Sequence, residues 1–284
     1  MIEIQIKSYA KINLSLDVLK KRNDGYHDLA TVMQAVSLCD NITVSLRSDN
    51  IIKIHSDSGK IPGGESDLTY KAAVAFFNKT GIVSGVDIKV EKNIPVSAGL
   101  AGGSADAAAV LKALCILFDK DAASDEIMAA ALAVGSDVPF CLHGGCALAE
   151  GRGEILTPCR GITDCHIVIA VPDVMVSTKW VFEQLDAKML SEHPDTTGLI
   201  SALESENLKE TAIRMYNVLE TVSVKSYPVI QKIKSKMIDC GAVGSIMSGS
   251  GPSVFGVFDS FEKALYAVKL LEPETRHVSV ANPV

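Results

Sequence analysis

The segment Pro95-Val96-Ser97-Ala98-Gly99-Leu100-Ala101-Gly102-Gly103-Ser104-Ala105 has the residue types of a phosphate cradle, small side chains and repeated glycine set between a strand pattern and a helix pattern. Glycines without a Cβ let backbone amides close around phosphate oxygens. A helix beginning near Ser104 directs unpaired N–H groups and partial positive charge at the loop, which favours an anion there. The loop contains no Lys and so departs from the P-loop spacing of two glycines, Lys and Ser/Thr. A phosphate bound here needs a cation from elsewhere in the chain. Taken alone, the same glycine cluster also reads as a tight turn ahead of a packing helix.

Other residues with chemical potential lie at defined corners. Lys11 sits between two alternating segments, and Asp137 lies in Ser136-Asp137-Val138-Pro139, a rigid turn after a helix that Gly135 ends. Tyr26 and His27 follow the Lys11 strand closely, and an aromatic next to a polar ring suits a flat base with hydrogen-bonding edges. The seven cysteines contain no C-x-x-C pair and read as reduced thiols, while His143, His166 and His193 show no metal spacing and read as structural.

The elements that must position these residues are legible in outline. Ile2-Glu3-Ile4-Gln5-Ile6-Lys7 and Ile12-Asn13-Leu14-Ser15-Leu16-Asp17-Val18-Leu19 alternate strictly and predict two strands; Val32–Leu38, Asn41–Leu46 and the Val86, Ile88, Val90 alternation predict more. Residues 67–79 predict an amphipathic helix, and Ser124 an N-cap for another. His166–Val171 reads as a buried strand, Tyr227–Ile238 as a helix, and the glycines from Gly241 to Gly251 as punctuating a hairpin that ends at Phe258. With 284 residues, 48% of them hydrophobic and 21% charged, the chain suits two domains with a substantial core. The net charge of −7 and the lack of a Lys/Arg run argue against nucleic acid as a partner. No apolar run approaches a membrane span and no signal pattern precedes the first strand, so no membrane partner and a cytoplasmic location are expected. The oligomeric state is not readable.

Three segments, Ala10-Lys11-Ile12-Asn13-Leu14, the loop from Pro95 to Ala108, and Gly244-Ser245-Ile246-Met247-Ser248-Gly249-Ser250-Gly251-Pro252-Ser253, resemble in order and spacing the three motifs of the GHMP kinase superfamily, over nearly the whole chain. Asp24-Gly25-Tyr26-His27, Gly135-Ser136-Asp137-Val138-Pro139-Phe140 and Gly151-Arg152-Gly153-Glu154 are similar to its branch with a cytidyl substrate. The resemblance implies an α+β, two-lobe fold: a ribosomal-S5-domain-2-like N-terminal lobe over 1–160 and a ferredoxin-like C-terminal lobe over 161–284. It also implies ATP-dependent phosphorylation of the 2-hydroxyl of 4-diphosphocytidyl-2-C-methyl-D-erythritol, in non-mevalonate isoprenoid precursor biosynthesis. Under that resemblance Asp137 accepts the hydroxyl proton and Lys11 orients it and offsets phosphoryl charge. Lys92 and residues Pro95, Val96, Ser97, Ala98, Gly99, Leu100, Ala101, Gly102, Gly103, Ser104 and Ala105 hold ATP, while Asn13, Tyr26, His27, Thr178 and Phe182 surround the cytidine diphosphate. Mg²⁺ is expected with ATP, bound mainly by phosphates and water, and the sequence names no protein ligand for it. Ser97 and Ala101 stand where glycine is frequent in the family, Ala105 where Ser is, and Asp67 near an Asn that meets adenosine; a carboxylate cannot supply the donor half of that amide. Two alternatives remain at this level, another GHMP small-molecule kinase and a non-catalytic nucleotide-binding regulator of the same fold.

Overall fold

The computed structural model describes residues 2–57, 59, 61, 63–185 and 190–284. Two compact units interleave along the chain. One comprises Met1–Ala10, Leu38–Val96 and Ala101–Gly144, the other Lys11–Ser37, Ser97–Leu100 and Gly145–Val284. A boundary at residue 160 divides the chain once, whereas these units exchange segments because the long strands β1 (Glu3–Lys21) and β2 (His27–Arg47) each contribute to both. The sequence predicts a break in β1 at Ser8–Lys11 and one in β2 near Cys39–Asp40, and neither occurs. Ser8, Lys11 and Asp40 are buried, so these polar residues are strand positions turned toward polar partners.

In the first unit, β4 (Gly85–Glu91) pairs antiparallel with β2 from Asn41↔Glu91 to Arg47↔Gly85 and parallel with β3 (Ile52–Ser56). The helices are α1 (Leu68–Thr80), α2 (Gly102–Leu117), α3 (Asp125–Val134) and α4 (Val138–His143). Val86, Ile88 and Val90 share the buried face their period of two predicts, joined by Ile42, Val44, Phe76 of α1 and Leu111 and Leu114 of α2. Asp67 caps α1: its Oδ1 accepts from Thr69 N at 2.8 Å and Thr69 Oγ1 at 2.6 Å, and Gly81 closes the helix with φ 67°. α2 starts at Gly102 rather than near Ser104, because Ala101 turns the chain with φ 55° and its carbonyl already accepts Ala105 N at 2.8 Å. Val138 and Pro139, expected as a bare turn, open the short helix α4, with Asp137 at its N-cap position.

The second unit is centred on a four-stranded antiparallel sheet in the order β11-β7-β10-β9, built from β7 (His166–Val171), β9 (Gly244–Met247), β10 (Val254–Phe258) and β11 (His277–Ala281). α9 (Val229–Asp239) and α10 (Phe261–Leu271) supply Ile230, Ile233, Met237, Ala264, Ala267 and Leu271 to a core with Val168, Ala170, Val254 and Phe258. This unit also holds a hairpin of β5 (Cys146–Gly151) and β6 (Ile155–Pro158), with β5 paired to β2 from Leu29↔Gly151 to Gln34↔Cys146. β8 (Tyr216–Asn217) lies parallel to β1 through Ser15↔Tyr216. α5 (Thr178–Gln184), α6 (Thr196–Glu204), α7 (Leu208–Arg214) and α8 (Glu220–Ser226) complete it. Among the described residues no helix is long and apolar enough to cross a membrane.

Candidate active site

In the second unit one buried side chain ties together two of the three motif segments, the Lys11 strand and the turn at Gly249, and joins both to β2. Asn13, 1% exposed on β1, accepts Lys11 Nζ at 2.8 Å and Gly249 N at 2.9 Å on the same Oδ1, and its Nδ2 donates to Thr31 Oγ1 at 2.8 Å. Thr31 in turn donates to Ser15 O at 2.5 Å, so the amide of Asn13 cannot flip without losing partners at both ends. Charge on the Lys11 ammonium strengthens its bond, which belongs to the class worth about 1.5–3 kcal/mol. Residues 97–100 of the loop are fixed against the same framework. Lys11 N donates to Leu100 O at 3.1 Å, Ser248 Oγ to Gly99 O at 3.0 Å, and Ser253 N to Ala98 O at 3.2 Å. Gly99 has φ 78°, and a Cβ there would overlap the Ser248 carbonyl, so this position requires glycine on both counts.

The turn from Ser248 to Gly251 is braced from behind. Asn217 Nδ2 donates to Met247 O at 2.9 Å and to Gly249 O at 2.8 Å, Ser223 Oγ donates to Ser250 O at 3.1 Å, and the Thr178 and Ser250 hydroxyls lie 2.7 Å apart. Thr178 is thereby joined to the third motif. His27 and Phe182 stack with centroids 5.1 Å apart, and Tyr26, 53% exposed, carries the Arg152 guanidinium 4.1 Å above its ring. Burial, reinforced by the charge of Lys21, lowers the pKa of His27 below the ordinary value, which leaves a neutral ring at neutral pH.

In the first unit the loop continues into α2 with Ala101, Gly102, Gly103, Ser104 and Ala105, preceded by Lys92, Pro95 and Val96. Lys92 does not extend into solvent. Its ammonium, on a side chain 4% exposed, is paired with Asp40 and, at 2.7 Å, with Asp106 Oδ2, while Ser8 Oγ donates to Asp106 Oδ1 at 2.8 Å. Asp40 also accepts Asn93 N at 2.5 Å and Ile94 N at 2.8 Å. A Cβ at Gly102 would lie 2.9 Å from Ile94 Cγ2 and 3.4 Å from Lys92 Nζ, so this cluster lies directly beside the start of α2. Burial pushes the Asp106 carboxyl up to about 7; Asp40 adds to that, and Lys92 and Ser8 oppose it. Burial alone would lower Lys92, but Asp106 and Asp40 outweigh it and hold the ammonium above its ordinary value. Asp137, half-buried at the start of α4, belongs to this unit, and Lys11 to the other.

Sequence reading missed Thr31, Asn217, Ser223, Asp40 and Ser8. Asp40 alone carried a local signal, an acid inside an otherwise apolar strand pattern. Asp67, whose contact to a nucleotide was in question, has its Oδ1 engaged by Thr69 as the α1 cap. His193, read as structural, holds Asp17 Oδ1 at 2.8 Å.

The chain matches the family models "GHMP kinases N terminal domain" over residues 67–145 and "GHMP kinases C terminal" over 199–269. It is 47% identical over 272 residues to a 4-diphosphocytidyl-2-C-methyl-D-erythritol kinase of Acetivibrio thermocellus, covering 96% of each chain. A protein of the same name from Clostridium botulinum is 45% identical over 278 residues, covering 98% of this chain and 99% of that one. A crystal structure of 4-(cytidine 5'-diphospho)-2C-methyl-D-erythritol kinase superimposes with a TM-score of 0.81 at 32% identity over 98% and 99% of the two chains. A homoserine kinase from Cytophaga hutchinsonii, 20% identical with a TM-score of 0.80 over 99% and 95%, shares the fold.

Proposed function

The chain belongs to the GHMP kinases and, within them, to the 4-diphosphocytidyl-2-C-methyl-D-erythritol kinases, and from that premise we infer that it transfers the γ-phosphoryl group of ATP to the 2-hydroxyl of 4-diphosphocytidyl-2-C-methyl-D-erythritol. It is a small-molecule kinase of α+β fold. Residues 1–160 and 161–284 are its N- and C-terminal GHMP lobes in this proposal, supported by family matches at 67–145 and 199–269. The observation that carries the site assignment is Asn13, which joins the Lys11 strand, the Thr31 strand and the Gly249 turn through one amide.

Phosphoryl transfer to an alcohol goes through a loose transition state, so positioning and charge neutralisation outweigh nucleophile activation. Asp137 accepts the proton of the 2-hydroxyl as the oxygen attacks. Lys11, oriented by Asn13, offsets charge on the transferring group. The amides of residues 97–105 receive the phosphates at the start of α2, where the helix dipole favours them. Lys92 serves from beneath: paired with Asp40 and Asp106, it fixes the chain entering the loop. Tyr26, His27, Phe182, Thr178 and Asn13 hold the cytidine diphosphate end. A neutral His27 can both donate to and accept from a cytosine edge, and an aromatic stack on a base is worth about 1–3 kcal/mol.

Among the described residues no group of three or more His, Cys, Asp or Glu side chains is arranged for a metal. Mg²⁺ in this proposal comes with ATP, held by its phosphates and water, and neutralises phosphate charge when bound. Incubating the protein with γ-labelled ATP and the cytidyl substrate tests the reading. Label transferred to the 2-hydroxyl, and not to methylerythritol phosphate without the cytidyl group, is the expected result. Equal transfer to both acceptors leaves a GHMP kinase of other specificity.

A further inference from the structure

Cys146 and Cys159 face each other across the β5–β6 hairpin with their sulfurs 3.4 Å apart, and Cys159 N donates to Cys146 O at 3.1 Å. They continue the antiparallel register one step beyond Ala147↔Pro158. Directly opposed, hydrogen-bonded positions of an antiparallel pair have Cα atoms about 5.5 Å apart, inside the range a disulfide spans. Both thiols are free. We propose that Cys146 and Cys159 are an oxidisable dithiol whose disulfide pins the β5–β6 hairpin and thereby the Arg152–Tyr26 contact at its tip.

The two sulfurs are unequal in the way such a pair requires. Cys159 is partly exposed, and by accepting a hydrogen bond from the Cys146 thiol it is lowered below the usual thiol range, against the effect of burial. Cys146 is buried and raised, by donating that bond and by desolvation. Cys159 is therefore the attacking thiolate and Cys146 the resolving thiol. With a hydroperoxide as oxidant, the Cys159 sulfur attacks one peroxide oxygen, the O–O bond breaks, and hydroxide leaves and is protonated to water. The sulfenic acid formed is attacked by the Cys146 sulfur; the S–S bond forms, the S–O bond breaks, and the departing hydroxide takes up the Cys146 proton. Two thiols and one hydrogen peroxide give one disulfide and two waters, each sulfur losing one electron to the peroxide oxygens.

The hairpin has something to gain from a crosslink. β6 has four residues, most of them exposed, and among the described strands pairs only with β5, so it is held along one edge. At the far end the turn is closed by Gly153 N to Glu150 O at 3.0 Å and Arg152 N to Glu154 Oε2 at 2.5 Å, and Arg152 lies over Tyr26. A disulfide at the open end removes fraying of β6 and holds that tip in register.

The test uses the full chain, reduced and then treated with hydrogen peroxide. Peptide mapping is expected to find one Cys146–Cys159 crosslink with loss of two hydrogens. Cys159→Ser and Cys146→Ser should abolish it, while Cys39→Ser and Cys141→Ser leave it unchanged. No crosslink, a stable sulfenic acid at Cys159, or a crosslink through another cysteine overturns the proposal. Its consequence for substrate rests on the proposed function: the oxidised protein should show KM for the cytidyl substrate lowered by about threefold, with KM for ATP unchanged, because the pocket wall is preorganised. A crosslink that leaves that KM unchanged overturns the coupling to Tyr26. Absence of turnover in the reduced protein refutes the kinase reading and leaves the mapping result standing.

Discussion

Asp106→Asn is expected to alter the pH dependence of stability of the unit containing α2 in a direction opposite to that of an ordinary carboxylate. Burial is the chief cause that pushes the Asp106 carboxyl up to about 7 in the folded chain, against an ordinary value of 3.8. A carboxyl with a raised folded pKa binds more protons in the native than in the unfolded state between those values. Its contribution to stability is therefore complete below the unfolded value and disappears as pH rises through about 7. At 1.36 kcal/mol per unit, the contribution falls by roughly 3 kcal/mol between about pH 5 and about pH 8. Asparagine is nearly isosteric with the protonated acid, and Lys92 retains Asp40 as a partner. The variant should thus gain stability relative to the parent by that amount across the interval. Acids elsewhere with lowered values, such as Asp49 held at about 2 mainly by Arg47, are present in both proteins and cancel. Hydrogen-exchange protection of the α2 amides, compared at matched pH values, reads the unit directly in a chain where a single global transition is not assured. A difference that stays constant with pH, or one that moves against the variant as pH rises, refutes the argument.

Three further outcomes are expected. Asp137→Ala and Lys11→Ala should each lower the single-turnover rate at least about 100-fold while ATP still binds; a folded variant retaining a tenth of the rate removes that residue from the mechanism. Gly102→Val should weaken ATP binding well beyond any effect on the cytidyl substrate, since even its Cβ would stand 2.9 Å from Ile94 Cγ2 at the start of α2; separate titrations showing equal loss for both ligands would mark the loop as scaffolding. His27→Ala should reduce kcat/KM for the cytidyl substrate by about 10-fold or more, through loss of the stack on Phe182 and of the base contact, and an unchanged value takes His27 out of the pocket.

The parts of the site that the sequence revealed are those whose signal is local. The glycine loop, the Lys11-Ile12-Asn13 strand and the third glycine motif are each a short run of unusual residues, and their roles depend on backbone conformation that such runs dictate. What escaped was every partner supplied from afar. Thr31 reaches Asn13 across 18 positions, and Asn217 reaches Gly249 across 32, in residue types that are ordinary where they stand. The two predicted breaks, in β1 and β2, were wrong for one reason. Polar residues at Ser8, Lys11 and Asp40 read as loop because a strand pattern assumes that polar side chains face water, whereas here each meets a buried polar partner, Ser8 at Asp106, Lys11 at Asn13, and Asp40 at Lys92 and the Ile94 amide. The interleaved units were equally hidden, since a strand shared between two cores has the same alternation as a strand within one.

The charge of the buried cluster bears on how a loop without lysine can bind phosphate. Lys92 contributes one positive charge, and Asp40 and Asp106 contribute two negative charges when ionised or one when Asp106 holds its proton. In neither state does the cluster present net positive charge to the start of α2. Attraction from this part of the chain must then come from backbone dipoles, and the loop conformation is consistent with that demand. Ser97, Gly99 and Ala101 have φ of 53°, 78° and 55°, so every second residue is left-handed. Alternation of right- and left-handed residues is the arrangement that turns successive N–H groups into one concavity. Ser97 and Ala101 adopt it at a cost of about 1–2 kcal/mol each that glycine would not incur. Such strain persists only where surrounding bonds over-determine the backbone. Here they do: Ser253 N and Ser248 Oγ hold the carbonyls of Ala98 and Gly99, and Ala105 N holds that of Ala101.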